Sequence, residues 1–348
     1  MENKKLENEK TKAKLVQLVK NKYDIQKLRI SAGNRIVASF NIQMGQKPSS
    51  PQEEMSDDGK KLLSVVQKEY KRITDGYIEK GTTIKKTIRE LEPDLEYIKD
   101  MTDYLLINTY MKLLEAEKNN IKTLVDIVHQ HPLWDAFFKN VKGCGEETAA
   151  LCIALFDPYK ARHVSCFWKY AGLNPVVRID ENGNTYHEAN SKKYTELREY
   201  VDREGNVKEK KGITYNPTLK TGLLGVTSGS ILKACIRSEY ETDDNGEFIL
   251  DEKGNKIPTG YKIATGPYAN MYCDYKMRQI QKHPDYSRSH IERMALRWMI
   301  RGFVKDLWIA WRELEGLPVT IPYEVEFLGR APHKWPNLKK YKFPESGK

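Results

Sequence analysis

The stretch Phe137-Phe138-Lys139-Asn140-Val141-Lys142-Gly143-Cys144-Gly145-Glu146-Glu147-Thr148-Ala149-Ala150-Leu151-Cys152-Ile153-Ala154-Leu155-Phe156 lies near the middle of the chain. An apolar helix is expected to run into Val-Lys-Gly-Cys-Gly. A second helix is expected to start at Glu146 and Glu147 and continue through small and apolar residues. This is the pattern of a helix-hairpin-helix. Its glycines allow a turn where a Cβ would clash. The first N–H groups of the second helix then face outward and can hold a phosphate oxygen. Lys142, Gly143, Gly145 and Thr148 are the candidate contacts. A phosphate held in this way fixes position and carries no sequence information. The competing reading is a tight turn between two core helices.

Around this stretch the periodicity is mostly helical. Residues 1–43 carry apolar residues at helical spacing (Leu15, Leu18, Val19, Tyr23, then Leu28, Ile36, Phe40). The segment Gly45–Asp58 is rich in Pro, Ser and acid and reads as a linker. A long helix is expected from Gly59 to Glu92, ended by Pro93, with another from Asp94 that packs antiparallel to it. The fold class is therefore mainly α: a helical body with a helix-hairpin-helix module and projecting β-hairpin insertions. The domains expected are 1–58, 59–125, 126–318 with hairpin insertions at 178–215 and 240–262, and a basic extended tail at 319–348.

The insertions are read from four D-x-x-G turns, Asp180 to Gly183, Asp202 to Gly205, Asp243 to Gly246 and Asp251 to Gly254. Each is flanked by short polar or β-prone runs, as in hairpins. The Asp spacing lacks the later acidic ligand of a calcium loop. After them, Ser289 to Glu292 reads as a capping box. The helix that follows carries Leu296, Ile300, Phe303, Leu307, Ala310 and Leu314 on one stripe. On another stripe lie Arg293, Arg297, Arg301 and Lys305. Like charges at i and i+4 repel by a few tenths of a kcal/mol. A phosphate backbone would relieve that repulsion, and so would the acids Glu292, Asp306 and Glu313 or those of the tail.

Charge supports a polyanionic partner. The net charge is +10. From Tyr275 to Lys348 there are 15 Lys and Arg against 8 Asp and Glu, so most of the excess lies in the last fifth of the chain. The five cysteines make no C-x-x-C pair, which argues against a zinc ribbon or a disulfide framework. His129 and His131 do not share a helix face, and His163 with Cys166 has no second pair, so no metal ligand is assigned. The N-terminus has no apolar core of a signal peptide, and no window approaches about 18 apolar residues. A cytoplasmic protein without a membrane partner is expected.

In order along the chain, the glycine turn, Tyr170-Ala171-Gly172-Leu173-Asn174-Pro175 and Gly229-Ser230-Ile231-Leu232-Lys233 resemble the C-terminal domain of the insertion-sequence 110/116/902 transposases. The likeness covers roughly residues 130–240 and rests on the order of short motifs. The family pattern has a Y-x-G-L-x-P element and a G-N-x-x-L-R helix start. The resemblance implies a DNA-binding protein of transposition or recombination; the residues themselves do not choose DNA over RNA, and a homo-oligomer stays open. It also implies a RuvC-like domain with four acidic residues that bind Mg²⁺, and a serine nucleophile between the two motifs. Residues 1–125 read as helical instead, with no Val/Ile-rich buried strand. The stretch Tyr215–Lys220 contains no serine. Thr218 and Thr221 are its nearest hydroxyls, and Ser228 reads as a helix cap. Catalytic residues are therefore not assigned, no cofactor is evident, and Mg²⁺ enters only if the protein is catalytic. Two other readings stand beside this one: a Mg-dependent recombinase or nuclease with a non-standard site, and a structural oligomeric protein.

Overall fold

The computed structural model describes residues 2–43, 57–179, 181–192, 195–320 and 338–343. The linker reading at 45–58 falls almost wholly outside them. The described chain is mainly helical with small antiparallel sheets. It divides into two compact units, Met1–Asp126 and Ile127–Lys348.

Three long helices build the first unit. α1 (Glu2–Gln43) is continuous and buries Leu15, Val19, Ile36 and Phe40, while Leu28 faces solvent. The expected helix from Gly59 to Glu92 is in fact two, α2 (Asp57–Lys80) and α3 (Ile84–Leu91). Gly81, at φ +57°, ends the first. Thr83 caps the second by accepting the Lys86 N–H at 3.3 Å. A 3₁₀ turn at Glu92–Asp94 contains Pro93. The next helix, α4 (Met101–Gln130), starts later than Asp94. Its cap is Asp100, whose carboxylate accepts the N–H groups of Thr102 and Asp103 at 2.7 and 2.9 Å.

α2 and α4 pack antiparallel, as the Tyr70–Asn108 and Thr74–Tyr104 hydrogen bonds show. α1 is the third member of the bundle. It reaches α4 through an Arg29–Glu117 ion pair, and Phe40 meets Tyr97 edge to face. Ile36, Phe40, Val66, Ile73, Ile98, Tyr104 and Ile107 share one core.

The link between α3 and α4 is held by one side chain. The buried carboxylate of Glu69 accepts the backbone N–H groups of Glu96 (2.7 Å), Tyr97 (3.1 Å) and Ile98 (3.0 Å). In Glu69→Gln an amide NH₂ would face these donors. The variant is expected to lose about 2 kcal/mol, read as a lower urea midpoint at unchanged slope.

The second unit is built around a long helix. In chain order it contains α5 (Pro132–Ala136), α6 (Glu146–Leu155) and α7 (Val164–Tyr170). Two hairpins follow: β1 (Pro175–Ile179) with β2 (Thr185–Ala189), and β3 (Thr195–Val201) with β4 (Val207–Ile213). α8 (Pro217–Thr221) and α9 (Ser228–Cys235) are joined by a π-helical stretch, Gly222–Thr227. β5 (Ile236–Tyr240) and β6 (Pro258–Thr265) precede α10 (Pro267–Lys282) and α11 (Arg288–Leu314). β7 (Leu338–Lys342) pairs with β6 and brings the tail back onto the sheet, where the buried Tyr341 hydroxyl meets Asn270 Oδ1 at 3.0 Å. Residues 321–337 and 344–348 of the expected tail lie outside the described residues.

α11 is capped by Ser287, not Ser289: the Ser287 hydroxyl accepts the His290 N–H at 3.3 Å. Its inward face is wider than the expected stripe. Ile291, Ala295, Met299, Val304, Trp308 and Trp311 are buried with Ile300, Phe303 and Leu307, whereas Leu296, Ala310 and Leu314 are only half-buried. Trp308 donates its indole N–H to Ala161 O (2.9 Å), and Trp168 of α7 donates to Arg301 O (3.0 Å). The buried Arg312 donates to the carbonyls of Pro158 (2.6 Å), Ala161 (3.0 Å) and Pro318 (2.7 Å).

All four D-x-x-G sequences lie at the turn positions expected, although Asp180 itself is outside the described residues. The four glycines have φ between +79° and +87°. At the other three turns one aspartate oxygen accepts two backbone N–H groups, from the second and fourth residues on. Asp202, for example, receives Glu204 and Asn206, both at 2.9 Å. This side-chain bonding, with a left-handed glycine at the fourth position, makes the turn local chemistry. The strands of the first two hairpins are largely exposed. The second insertion, at 240–262, is tighter. Its two small hairpins are held by single bridges, Thr242 to Phe248 and Leu250 to Lys256. Glu241, Ile249 and Ile257 close a ring of backbone hydrogen bonds: Glu241 N–H to Ile257 O, Ile257 N–H to Ile249 O, and Ile249 N–H to Glu241 O.

Candidate functional site

The limb before the glycine turn is α5 followed by a 3₁₀ turn at Phe138–Asn140, not one apolar helix. Gly143 is left-handed at φ +85°. A Cβ there would sit 2.6 Å from Ser230 O and 2.7 Å from Ile231 Cα, so this glycine lets the turn press on the backbone of α9. Gly145 is exposed and N-caps α6 with open space around it. Lys142 is exposed. Thr148 is buried, and its hydroxyl pairs with Thr227 Oγ1 at 3.0 Å, so it cannot also reach a ligand. Glu146 and Glu147 sit in the first turn of α6, where they already complement the helix dipole. Glu146 also pairs with His129 at 3.2 Å.

The motifs that carry the resemblance pack tightly. Gly143 lies on Ser230 and Ile231. Gly172, with φ +66°, lies where a Cβ would come 2.8 Å from the Tyr215 ring. Ser228 is not a cap: it is buried inside the continuous α8–α9 rod, and its hydroxyl donates to Leu224 O at 2.7 Å.

The cations form a different centre. Arg293, Arg297, Arg301 and Lys305 lie on successive turns of α11. Lys305 stands 3.5 Å from Asp306. Arg301 stacks its guanidinium 4.3 Å from the Trp168 ring centroid. Arg297 is half-buried, and its pKa is pushed down by burial and then by the Arg301 charge, with smaller effects of Tyr275 upward and of Arg293 downward.

A further cation, Lys220 of α8, feels the Arg297 charge. Burial, and then the charge of Arg297, hold the Lys220 ammonium down at about 8. Its Nζ donates to Asn190 O and lies 4.5 Å from the Tyr215 ring centroid. The Asn190 side chain in turn locks onto Thr214: Nδ2 donates to the Thr214 hydroxyl at 2.9 Å, which donates back to Oδ1 at 3.2 Å. Asn190 and Thr214 are the residues just after β2 and β4, so Lys220 is anchored at the feet of both hairpins.

Two acids of α11 are shared with groups outside this stripe. Glu292 binds Lys276 at 2.5 Å and the Tyr272 hydroxyl at 2.6 Å. Asp306 accepts from Tyr268 at 3.1 Å. Among the described residues, Arg297 and Lys220 have no carboxylate partner. The four-residue spacing makes Arg297 visible in the sequence, whereas nothing local singles out Lys220 at the end of α8.

Among the described residues no three His, Cys, Asp or Glu side chains are grouped to hold a metal ion. His131 caps α5, accepting the Leu133 N–H on Nδ1 at 3.2 Å. All five cysteines are free thiols, and burial pushes Cys144 up to about 12, away from thiolate reactivity. No helix among the described residues is long and apolar enough to cross a membrane. Comparison of the chain with protein-family models, curated proteins and solved structures finds no match.

Proposed function

We propose that the protein binds nucleic acid through its phosphate backbone, as a DNA-binding protein of the transposase type. The observation that carries this reading is the stripe of Arg293, Arg297 and Arg301 on successive turns of α11, in which the half-buried Arg297 has no carboxylate partner among the described residues. Bringing half-buried cations together costs free energy in the free protein. A phosphate backbone removes the repulsion and adds counterion release. Lys142 and the backbone around Gly143 and Gly145 would extend the same positioning contact, since Lys142 and Gly145 remain exposed.

The residue types here grip rather than read. Arg301 is committed to the Trp168 face and Lys220 to a carbonyl and the Tyr215 face, so neither is set up as a fork for a base edge. Binding should therefore depend steeply on salt and little on sequence. The replacement of Arg293, Arg297 and Arg301 together by Gln is expected to lower the slope of log affinity against log salt by about two to three, at roughly 0.7–0.9 per lost phosphate contact. A fluorescence titration with a mixed-sequence duplex and single strand over a salt series measures this. Absence of any affinity at about 50 mM salt, where such contacts are strongest, would sink the reading.

A further inference from the structure

The corner between α10 and α11 forms a cavity of about 540 Å³. Pockets that hold small molecules have roughly 300–1,000 Å³. The walls come from the end of α10, the turn after it, the first residues of α11, and Phe343, the residue after β7. Ile280, Pro284 and Ile291 line it with aliphatic carbon. Tyr286 and Phe343 supply aromatic rings, and Lys276 and Arg288 supply cations. Apolar walls with a few placed charges suit a planar ligand that carries negative charge at one end.

Several of these groups are already held in place. The Tyr286 ring stacks on His283, with centroids 4.4 Å apart and planes 9° from parallel, and meets His290 edge to face at 4.8 Å. The Lys276 ammonium is fixed by Glu292 at 2.5 Å and by the Tyr272 hydroxyl at 2.9 Å, and it lies 5.1 Å from the Phe343 ring centroid. Even so, Tyr286 is exposed and Phe343 only half-buried. Rings held in this way lose little freedom when a ligand stacks on them.

The cation stripe runs to this cavity. Ser289, which lines it, stands four residues before Arg293, so cavity and stripe occupy successive turns of one helix. Bases in a duplex are paired and stacked inside, whereas a single strand can turn one out onto an aromatic side chain. Stacking accepts every base, in keeping with a grip that does not read sequence. We propose that the cavity receives one unstacked base of a single strand on the Tyr286 and Phe343 rings, with Lys276 and Arg288 beside its phosphate. This rests on the nucleic-acid reading above and names the form the site selects, single strand over duplex. No bond is made or broken there.

The test uses the full chain, a mixed-sequence single strand, its duplex, and a single strand of equal length and phosphate count in which every nucleotide is abasic. The abasic strand is expected to bind roughly tenfold more weakly than the normal single strand, the worth of about one stacked base. Tyr286→Ala combined with Phe343→Ala should bring that ratio towards one, and Tyr286→Phe, which keeps the ring, should preserve it. The salt slope of the double variant should stay that of the wild type, since no phosphate contact is removed. Thermal melting of each variant shows that it is folded. A ratio near one in the wild type, a ratio that survives the double variant, or affinity for the duplex alone would overturn the base site and leave the backbone reading standing. If neither strand nor duplex binds, but 5′-AMP raises the melting temperature of the wild type and not of the double variant, the nucleic-acid reading fails and the cavity stands as a site for a free nucleotide. If 5′-AMP also has no effect, both fail.

Discussion

Gly143→Ala is expected to destabilise the second unit by more than about 3 kcal/mol, enough to remove most of the soluble protein. Two independent costs add. The residue has φ +85°, a conformation alanine adopts only under strain. The new methyl would also lie 2.6 Å from Ser230 O and 2.7 Å from Ile231 Cα, and both are backbone atoms in a helix that cannot step aside. Gly145→Ser is the matched control. Gly145 has ordinary φ, nothing within 4 Å of a Cβ, and the N-cap position of α6. A serine hydroxyl there can accept an N–H of the first turn, so this change should be neutral or stabilise by up to about 1 kcal/mol. Chemical denaturation of the two variants separates the roles. Equal losses would show that the turn as a whole, and not its contact with α9, is the sensitive feature.

Arg312→Met is expected to cost about 3–5 kcal/mol. The buried guanidinium donates to three carbonyls, of Pro158, Ala161 and Pro318, and lies 5.3 Å from the Trp308 ring centroid. Methionine fills much of the volume but leaves those acceptors unmatched, apart from what Trp308 still gives Ala161. Arg312→Lys should recover only part of the loss, since one ammonium cannot span the same fork. Near-native melting temperatures for both variants would mean that water replaces the guanidinium freely.

The four D-x-x-G turns were legible because their determinants are all local: an aspartate that binds its own backbone and a glycine that accepts positive φ. The three long helices of the first unit were legible from their periodicity. The break at Gly81–Thr83 was not, because the residues around it keep a helical pattern and only the Thr83 cap marks the restart. Ser287 and Ser289 are two serines in one polar run. Which of them caps α11 is decided by where the chain leaves α10, not by the box spacing. At the candidate site, Arg293, Arg297 and Arg301 shared a helix face and could be seen together. Lys220 and Asn190 come from separate elements and meet only in the fold, as do Trp168 and Arg301 through the packing of α7 on α11. Thr148 looked like an outward contact because of its place early in α6, but its partner Thr227 belongs to the π-helical stretch and could not be paired with it in advance.

The ring of hydrogen bonds among Glu241, Ile249 and Ile257 knots three passes of the chain at one point, eight residues apart each time. A nick at the tip of either turn, at Asn245 or Lys253, would leave all three bonds in place. The insertion should thus keep its shape when cut. Its three central amide hydrogens should exchange with solvent more slowly than those of the longer but unknotted β3–β4 finger.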